Sequence, residues 1–349
     1  MTECYVVTGG AGFVGSNLCC ALAARAARRA EEIDLIVIDD FRSGSFANLV
    51  EAFEREGDER FRGEVVAGSV GEIDWESLID ARSPRAVFHL GAITDTTVSD
   101  EREMLEVNTE TFGPMLEACV EASVPLVYAS SAATYGSPPQ ADARVPFPLG
   151  AAGAPNNVYG FSKWLMECEH RRVLGDARDA GKPFPHVVGL RYFNVFGPGE
   201  SRKHHMASMV HQLATQILDG GRPRIFTDGE QARDQIPVMD VVACTMAAAG
   251  IDNDHAVVPG VYNLGSGRAT TYNEIVEAIR SPLGMSEADR PTEYFDMPAH
   301  VRTFYQDYTC ADMSETERGL GWTPSVDPLA AMGDYAQYLA HVRGLSPAT

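Results

Sequence analysis

A chain of 349 residues with 45% hydrophobic and 22% charged residues reads as a soluble globular protein, too long for one small domain. Its net charge of −21 excludes general nucleic-acid binding and adhesion to an anionic membrane, and no apolar run approaches the ~20 residues of a membrane span. The seven cysteines (4, 19, 20, 119, 168, 244 and 310) show no C-x-x-C spacing and fall mostly inside apolar runs. They predict buried thiols in a reducing cytoplasm, with neither a disulfide frame nor a zinc site. The N-terminus enters a strand directly, which predicts no signal peptide.

Cys4–Val7 is that strand, followed by Thr8-Gly-Gly-Ala-Gly-Phe-Val-Gly15 and an alanine-rich helix to about Ala30. Gly9, Gly12 and Gly15 allow a tight turn with close backbone approach. The helix N-terminus at Phe13 and Val14 then offers N–H groups to a pyrophosphate. The second strand, Asp34–Asp39, ends in Asp39-Asp40, where a carboxylate can accept hydrogen bonds from an adenine ribose. Strand, glycines, helix, strand and acidic end in this order predict dinucleotide binding.

Residues 51–62 are dense in charge and suggest no function. Glu64–Ala67 is the third strand, with Ser69 and Val70 placed to touch adenine. Ala86–Leu90 is the fourth, and Leu90, Gly91 and Ala92 at its C-terminal end fall where ligands collect in a parallel sheet. His89 reads as a packed core histidine. Met104–Ala122 is an amphipathic helix carrying Asn108, assigned to the cofactor site. Pro125–Ala129 is the fifth strand and runs into Ser130-Ser131, where a hydroxyl can meet a substrate alcohol or simply serve the turn. Residues 137–156, with five prolines, form a loop near the site.

Asn157-Val-Tyr-Gly-Phe-Ser-Lys163 opens a helix running to about Leu174, placing Tyr159 and Lys163 one turn apart on one face. A free phenol, with a pKa of about 10, is no base near neutrality. A neighbouring ammonium favours the phenolate, so the pair suits oxidation of an alcohol. The strand His186–Tyr192 completes an alternating βα order, predicting a Rossmann-type doubly wound parallel sheet.

After Phe193 the pattern breaks. The expected division is a dinucleotide-binding domain of residues 1–193, with about 233–252 packing back on it. Residues 194–232 and 253–345 then form a smaller C-terminal substrate-binding lobe. That lobe is expected to hold a polar loop at Gly199–His205, a helix Met206–Leu218, strands at Gly260–Gly265 and Thr292–Asp296, and a closing helix Asp327–Val342. Thr271 and Glu274 have capping-box spacing for a further helix. From Arg191 to Arg233 there are six Lys/Arg against four Asp/Glu, a local reversal of charge that suits a phosphorylated ligand. Lysine is scarce: only Lys163, Lys182 and Lys203 occur. His204, His205 and His211 lack the partners of a metal set.

The glycine motif, Ser130-Ser131 and Tyr159…Lys163 together resemble the extended short-chain dehydrogenase/reductase superfamily, most of whose members modify nucleotide-linked sugars through a tightly held nicotinamide cofactor. Tyr128–Gly136, Arg191–Pro198, Lys203 ahead of Met206-Ala-Ser208, and Tyr305-Gln306 followed by Thr309 and Ala311-Asp312 resemble its ADP-glyceromanno-heptose 6-epimerase family. The resemblance implies that Ser131 positions the alcohol, Tyr159 takes its proton and Lys163 binds the nicotinamide ribose. Lys203 falls at a second acid/base position, with a charge contact to the ADP pyrophosphate as the other reading. Asn194, Arg233 and Tyr305 complete the substrate contacts, and a homo-oligomer is implied. Where that family tends to have Asn and a nearby Lys, this chain has Asp40 and Arg42. A second carboxylate repels a 2′-phosphate and Arg42 can accept one, so NAD is favoured and NADP stays open. A UDP-hexose 4-epimerase shares the fold and the Ser, Tyr and Lys without needing Lys203. A 4,6-dehydratase would want Asp-Glu where Ala132-Ala133 stand, and a catalytically silent dinucleotide binder has no use for all three groups.

Overall fold

The unbroken apolar runs fold as parallel strands, since a strand covered on both faces carries hydrophobic residues without alternation. The computed structural model describes residues 2–57, 60–95, 100–298 and 305–345. β1 (Glu3–Thr8) leads into α1 (Phe13–Arg29), and β2 (Ile33–Asp39) into α2 (Phe46–Arg55). β3 (Glu64–Ala67), α3 (Trp75–Arg82) and β4 (Ala86–His89) follow. Next come α4 (Glu101–Leu105), a π-helical turn (Glu106–Glu110) and α5 (Phe112–Glu121). β5 (Leu126–Ser131), α6 (Pro139–Ala143), α7 (Val158–Asp179) and β6 (Val187–Tyr192) complete the first half.

Three expectations change here. The charged stretch begins as a helix: Ser45 caps α2, and Leu49, Ala52 and Phe53 are buried, so its charges are the outer face of an amphipathic element. The helix carrying Asn108 starts earlier, capped by Asp100, and is interrupted by the π turn. The proline-rich loop contains α6 and a 3₁₀ turn at Leu149–Ala151, both opened by Pro residues that pre-set φ for a helical start.

The second half holds β7 (Asn194–Phe196), a 3₁₀ segment (Ser201–Met206), α8 (Met209–Leu218), β8 (Arg224–Phe226), β9 (Ala232–Pro237) and α9 (Val238–Ala248). It continues with β10 (Gly260–Leu264), β11 (Ala269–Thr271), α10 (Tyr272–Arg280), β12 (Glu293–Phe295), α11 (Ser314–Leu320) and α12 (Pro328–Val342). α8 starts three residues later than expected because Ser208 accepts from His211 N–H as its cap, after the 3₁₀ segment. Thr271 and Glu274 form the reciprocal capping box of α10.

Among the described residues the main sheet has seven strands in the order β10-β6-β5-β4-β1-β2-β3. β10 was expected with the second lobe. Instead it pairs in parallel with β6, Gly260 opposite Val188 through Leu264 opposite Tyr192, and is the seventh strand. The physical reason is burial: Tyr262, Asn263 and Leu264 are covered on both faces, as only a sheet strand between layers would be. β1 pairs with β2 on one side and β4 on the other, so the strand order reverses there. A crevice opens at such a reversal, outside the strands' carboxyl ends. Two small sheets, β11-β9-β7 and β12-β8, stand beyond the main one. α8, α10 and α12 share a separate core around Leu213, Ile275, Met332 and Tyr335. Among the described residues no helix is long and apolar enough to cross a membrane.

Candidate active site

The turn after β1 is built by contact distances that only glycine tolerates. Gly9 has φ +65°, and a Cβ there would lie 2.6 Å from the Gly91 nitrogen; one on Gly15 would lie 2.1 Å from the Gly9 carbonyl oxygen. Gly12 caps α1 without any side-chain bond, and the helix's first turn holds no acid. Its leading N–H groups, at Phe13 and Val14, therefore remain for an anion. Leu90 N–H donates to the Thr8 carbonyl (3.1 Å) and Gly91 N–H to Thr8 Oγ1 (3.1 Å), which locks the exit of β4 against this turn. Ala92 follows in the same half-exposed segment.

At the end of β2, Asp39 is buried. Its carboxylate accepts from Ala11 N–H and Phe41 N–H, each at 2.9 Å, while burial pushes its pKa up. It braces the glycine turn and keeps spare lone pairs. Asp40 is exposed and pairs with Arg42 at 3.5 Å, and Arg42 also binds Glu103 of α4 at 2.7 Å. Arg42 is thus already held by two carboxylates. Ser69 caps a short 3₁₀ turn from Val70, with Glu72 closing a capping box. Asn108, expected against the cofactor, is fully buried. Its amide binds Ile93 N–H (2.8 Å), the Ile93 carbonyl (2.9 Å) and Ser162 Oγ (3.1 Å), so it ties the β4 exit to α7.

Ser131 is the last residue of β5, and its Oγ accepts from Ala133 N–H at 3.1 Å. Asn157 caps α7 through Gly160 N–H (2.8 Å), and a Cβ on Gly160 would come within 2.5 Å of the Ala133 carbonyl oxygen. That close approach seats the first turn of α7 on the Ser131 turn. Burial pushes the Tyr159 phenol up, and the Ser131 side chain opposes the shift. Lys163, one turn on, is 2% exposed, with its Nζ 3.8 Å from Met166 Sδ. Burial pushes its ammonium down to about 7. His89 is buried as expected, bonded to Thr8 Oγ1 at 2.8 Å and pushed down to about 3, first by burial and then by Lys163.

The ion pair beneath this site was not anticipated. Glu167, four residues beyond Lys163 on α7, is fully buried and binds Arg191 of β6 at 2.9 and 2.7 Å. It also accepts from Ser130 Oγ at 2.6 Å, next to Ser131. The i, i+4 step from Lys163 to Glu167 was the available signal.

Lys203 is half-buried, with its Nζ 5.5 Å from the ring centre of Phe13 in the glycine turn. Burial pushes its pKa down and Glu200 opposes the shift. The Arg233 guanidinium sits 4.8 Å over the Tyr305 ring, and Tyr305 hydroxyl meets Tyr272 hydroxyl at 3.4 Å. Asn194 Nδ2 donates to the Asp234 carbonyl at 2.9 Å. Asn194 pairs with Gln235, and Arg233 with Thr270, so these four side chains share one face of the small sheet. Gln235 Oε1 and Thr270 Oγ1 on that face are buried and have no hydrogen-bond partner among the described residues. Neither was expected at the site. No three His, Cys, Asp or Glu among the described residues are grouped to hold a metal.

The family model described as the NAD dependent epimerase/dehydratase family matches residues 5–265. The chain belongs to that family. An ADP-L-glycero-D-manno-heptose-6-epimerase of Alkalilimnicola ehrlichii is 37% identical over 321 residues, 89% of this chain and 89% of its own. One of Pseudomonas aeruginosa is 35% identical over 358 residues, 96% of this chain and 98% of its own. The crystal structure of the Helicobacter pylori ADP-L-glycero-D-manno-heptose-6-epimerase superposes with a TM-score of 0.79 at 32% identity, covering 99% of this chain and 97% of that one. The chain is therefore an NAD-dependent epimerase-family enzyme with a Rossmann-like fold. The glycine turn fits that cofactor: an uncapped helix end, a backbone approach that any Cβ would block, and a carboxylate at the end of β2.

Proposed function

We propose that the chain inverts C6 of ADP-D-glycero-D-manno-heptose to give ADP-L-glycero-D-manno-heptose, by transient oxidation to a 6-ketone and re-reduction on the opposite face. The observation that carries the reading is the seating of the Tyr159 turn of α7 on the Ser131 turn, with Lys163 buried one turn further on and a second amine, Lys203, standing over the glycine turn. The likeness to the heptose epimerases over nearly the whole chain supports the choice of sugar. NAD, when bound, supplies a two-electron acceptor that can return the same electrons.

In this reading Ser131 orients the C6 hydroxyl and Tyr159 takes its proton, helped by the Lys163 ammonium, which favours the phenolate. C6 lies outside the sugar ring, so rotation about C5–C6 presents the other face of the ketone. The oxygen then finishes elsewhere, and Lys203 gives it a proton. Gly9, Gly12, Phe13, Val14, Gly15, Asp39, Leu90, Gly91 and Ala92 line the cofactor, with Ser69 and Val70 at adenine. NAD is held tightly in this reading, and the preference for it over NADP is supported by Asp40 and Glu103 engaging Arg42. Arg233 holds the pyrophosphate, and Asn194, Gln235, Thr270 and Tyr305 complete the polar contacts. The working division into a cofactor domain and a substrate lobe keeps residues 1–193 and about 233–252 together, and adds β10 to them.

Lys203's contact with Phe13 favours a second reading for that residue alone, a charge on the cofactor or substrate pyrophosphate. Incubation with ADP-D-glycero-D-manno-heptose, with C6 stereochemistry followed by NMR, tests both. Wild type should invert C6, while Tyr159→Phe and Lys203→Met should each lose about 10²-fold or more in kcat. A raised KM with unchanged kcat in Lys203→Met leaves only the charge role. Turnover of UDP-galactose alone refutes the heptose assignment.

A further inference from the structure

The 3₁₀ segment that carries Lys203 is folded around a carboxylate that no step above uses. Glu200 is fully buried. Its Oε1 accepts from Gly197 N–H and from Ser208 Oγ, each at 2.9 Å, and its Oε2 accepts from Ser208 N–H at 2.6 Å. Lys203 N–H donates to the Glu200 carbonyl at 2.9 Å. One side chain thus joins the start of the loop, at Gly197, to its end at the cap of α8. Between these points His204 takes φ 49°, a left-handed conformation that a side chain rarely adopts and that the surrounding bonds must hold. Outside the loop, Arg202 binds Glu51 (2.7 Å) and Asn48 Oδ1 (3.0 Å) of α2, and Asn17 Nδ2 of α1 binds the Pro198 carbonyl (2.9 Å). The whole segment is fastened across the glycine turn.

We propose that Glu200 is the positioning residue of Lys203: it closes the loop from Gly197 to Ser208 so that the Lys203 amine stands over the glycine turn. The proposal rests on the reading of Lys203 as a functional amine.

Three donors converge on this carboxylate, and an acceptor-only group fits them where an amide would turn a donor toward one. A carboxylate buried this completely needs a full set of donors: burial pushes its pKa up, opposed first by the Gly197 and Ser208 bonds and last by the charge of Lys203. The other titratable groups that face it are few. Tyr335 of α12 is raised by burial and then by Glu200, with Tyr338 and Arg55 also acting on that phenol, and His211 of α8 meets the same hydroxyl through Nδ1 at 2.8 Å. Burial and Glu200 pull Lys203 in opposite directions, so removing the carboxylate leaves burial unopposed. The sign is definite: Lys203 should lose its proton at lower pH.

The chain's three lysines make this directly measurable. The NAD-loaded enzyme, labelled with ¹³C at lysine Cε, gives three titrating signals, with Lys203 assigned by its loss in Lys203→Met. In Glu200→Gln the Lys203 signal should titrate at lower pH while Lys163 and Lys182 stay in place. The alkaline limb of kcat should move the same way, with kcat down about tenfold at neutral pH and KM changed less than twofold. Glu200→Asp, which keeps the charge but withdraws it, should displace Lys203 less and recover part of the rate. Where Glu200→Gln does not fold, the Asp variant alone decides, by a smaller displacement in the same direction. An unmoved Lys203 titration in a folded variant overturns the proposal, as does a lower rate with an unmoved alkaline limb. Full turnover by Lys203→Met would instead sink the acid/base reading, leaving the titration to judge Glu200.

Discussion

Lys163 should make the cofactor-free enzyme less stable than it would be without that residue. The ammonium is 2% exposed, and among the described residues its side-chain contact within hydrogen-bonding range is the weak one to Met166 Sδ at 3.8 Å. Burial moves its pKa from 10.5 to about 7. Carried over that interval at about 1.4 kcal/mol for each pH unit, the penalty on the folded state is about 5 kcal/mol at most. The sign follows from proton binding. The folded chain holds this proton less tightly than the unfolded chain, so the penalty is full below pH 7 and is relieved as pH climbs from about 7 towards 10.5. Lys163→Met, close in length and apolar, should therefore stabilise the NAD-stripped protein by roughly 3–5 kcal/mol at pH 6–7, with the gain largely gone by pH 10. Urea unfolding of both proteins at pH 6, 8 and 10 measures it, and the variant should also lose turnover. A variant no more stable than wild type at pH 7, or a gain that does not shrink with pH, refutes the reasoning.

Asp40→Asn combined with Glu103→Gln releases Arg42 and should shift the NADP-to-NAD preference by about tenfold towards NADP, read from the ratio of their Kd values by calorimetry. Gly15→Ala forces a Cβ against the Gly9 carbonyl oxygen at 2.1 Å. It should destabilise the fold by about 2 kcal/mol or more and abolish NAD retention, checked by thermal unfolding and by absorbance of the released cofactor. Glu167→Gln leaves Arg191 buried without its counter-charge and should lower stability by about 3–5 kcal/mol in urea titration. An effect below about 1 kcal/mol would show that the pair is not carrying β6 and α7 together.

The first six strands of the main sheet were readable because parallel strands buried on both faces advertise themselves as unbroken runs, as in Asp34–Asp39 and His186–Tyr192. The seventh was readable as a strand but not as a neighbour of β6: pairing partners are set by layers closing over the sheet, and Gly260–Leu264 carries no local mark of them. α2 went unseen because its charges drew attention from Leu49, Ala52 and Phe53 at helical spacing. At the site, Tyr159 and Lys163 were legible from a four-residue step. Glu200 was not, since an acid in a basic stretch looks like solvated surface until the chain folds over it. Asn108 is the reverse case: a polar residue near the crevice that the fold buries and ties to Ile93 and Ser162.

The late arrival of β10 has a consequence for synthesis. Until residue 264 has left the ribosome, β6 is an outer strand with an open row of amides and carbonyls. The growing enzyme must wait through some seventy residues, from Tyr192 to Leu264, with that edge unprotected. Nascent chains stalled before this point should be the ones that chaperones hold and that clump together, whereas chains stalled just past it should resist protease.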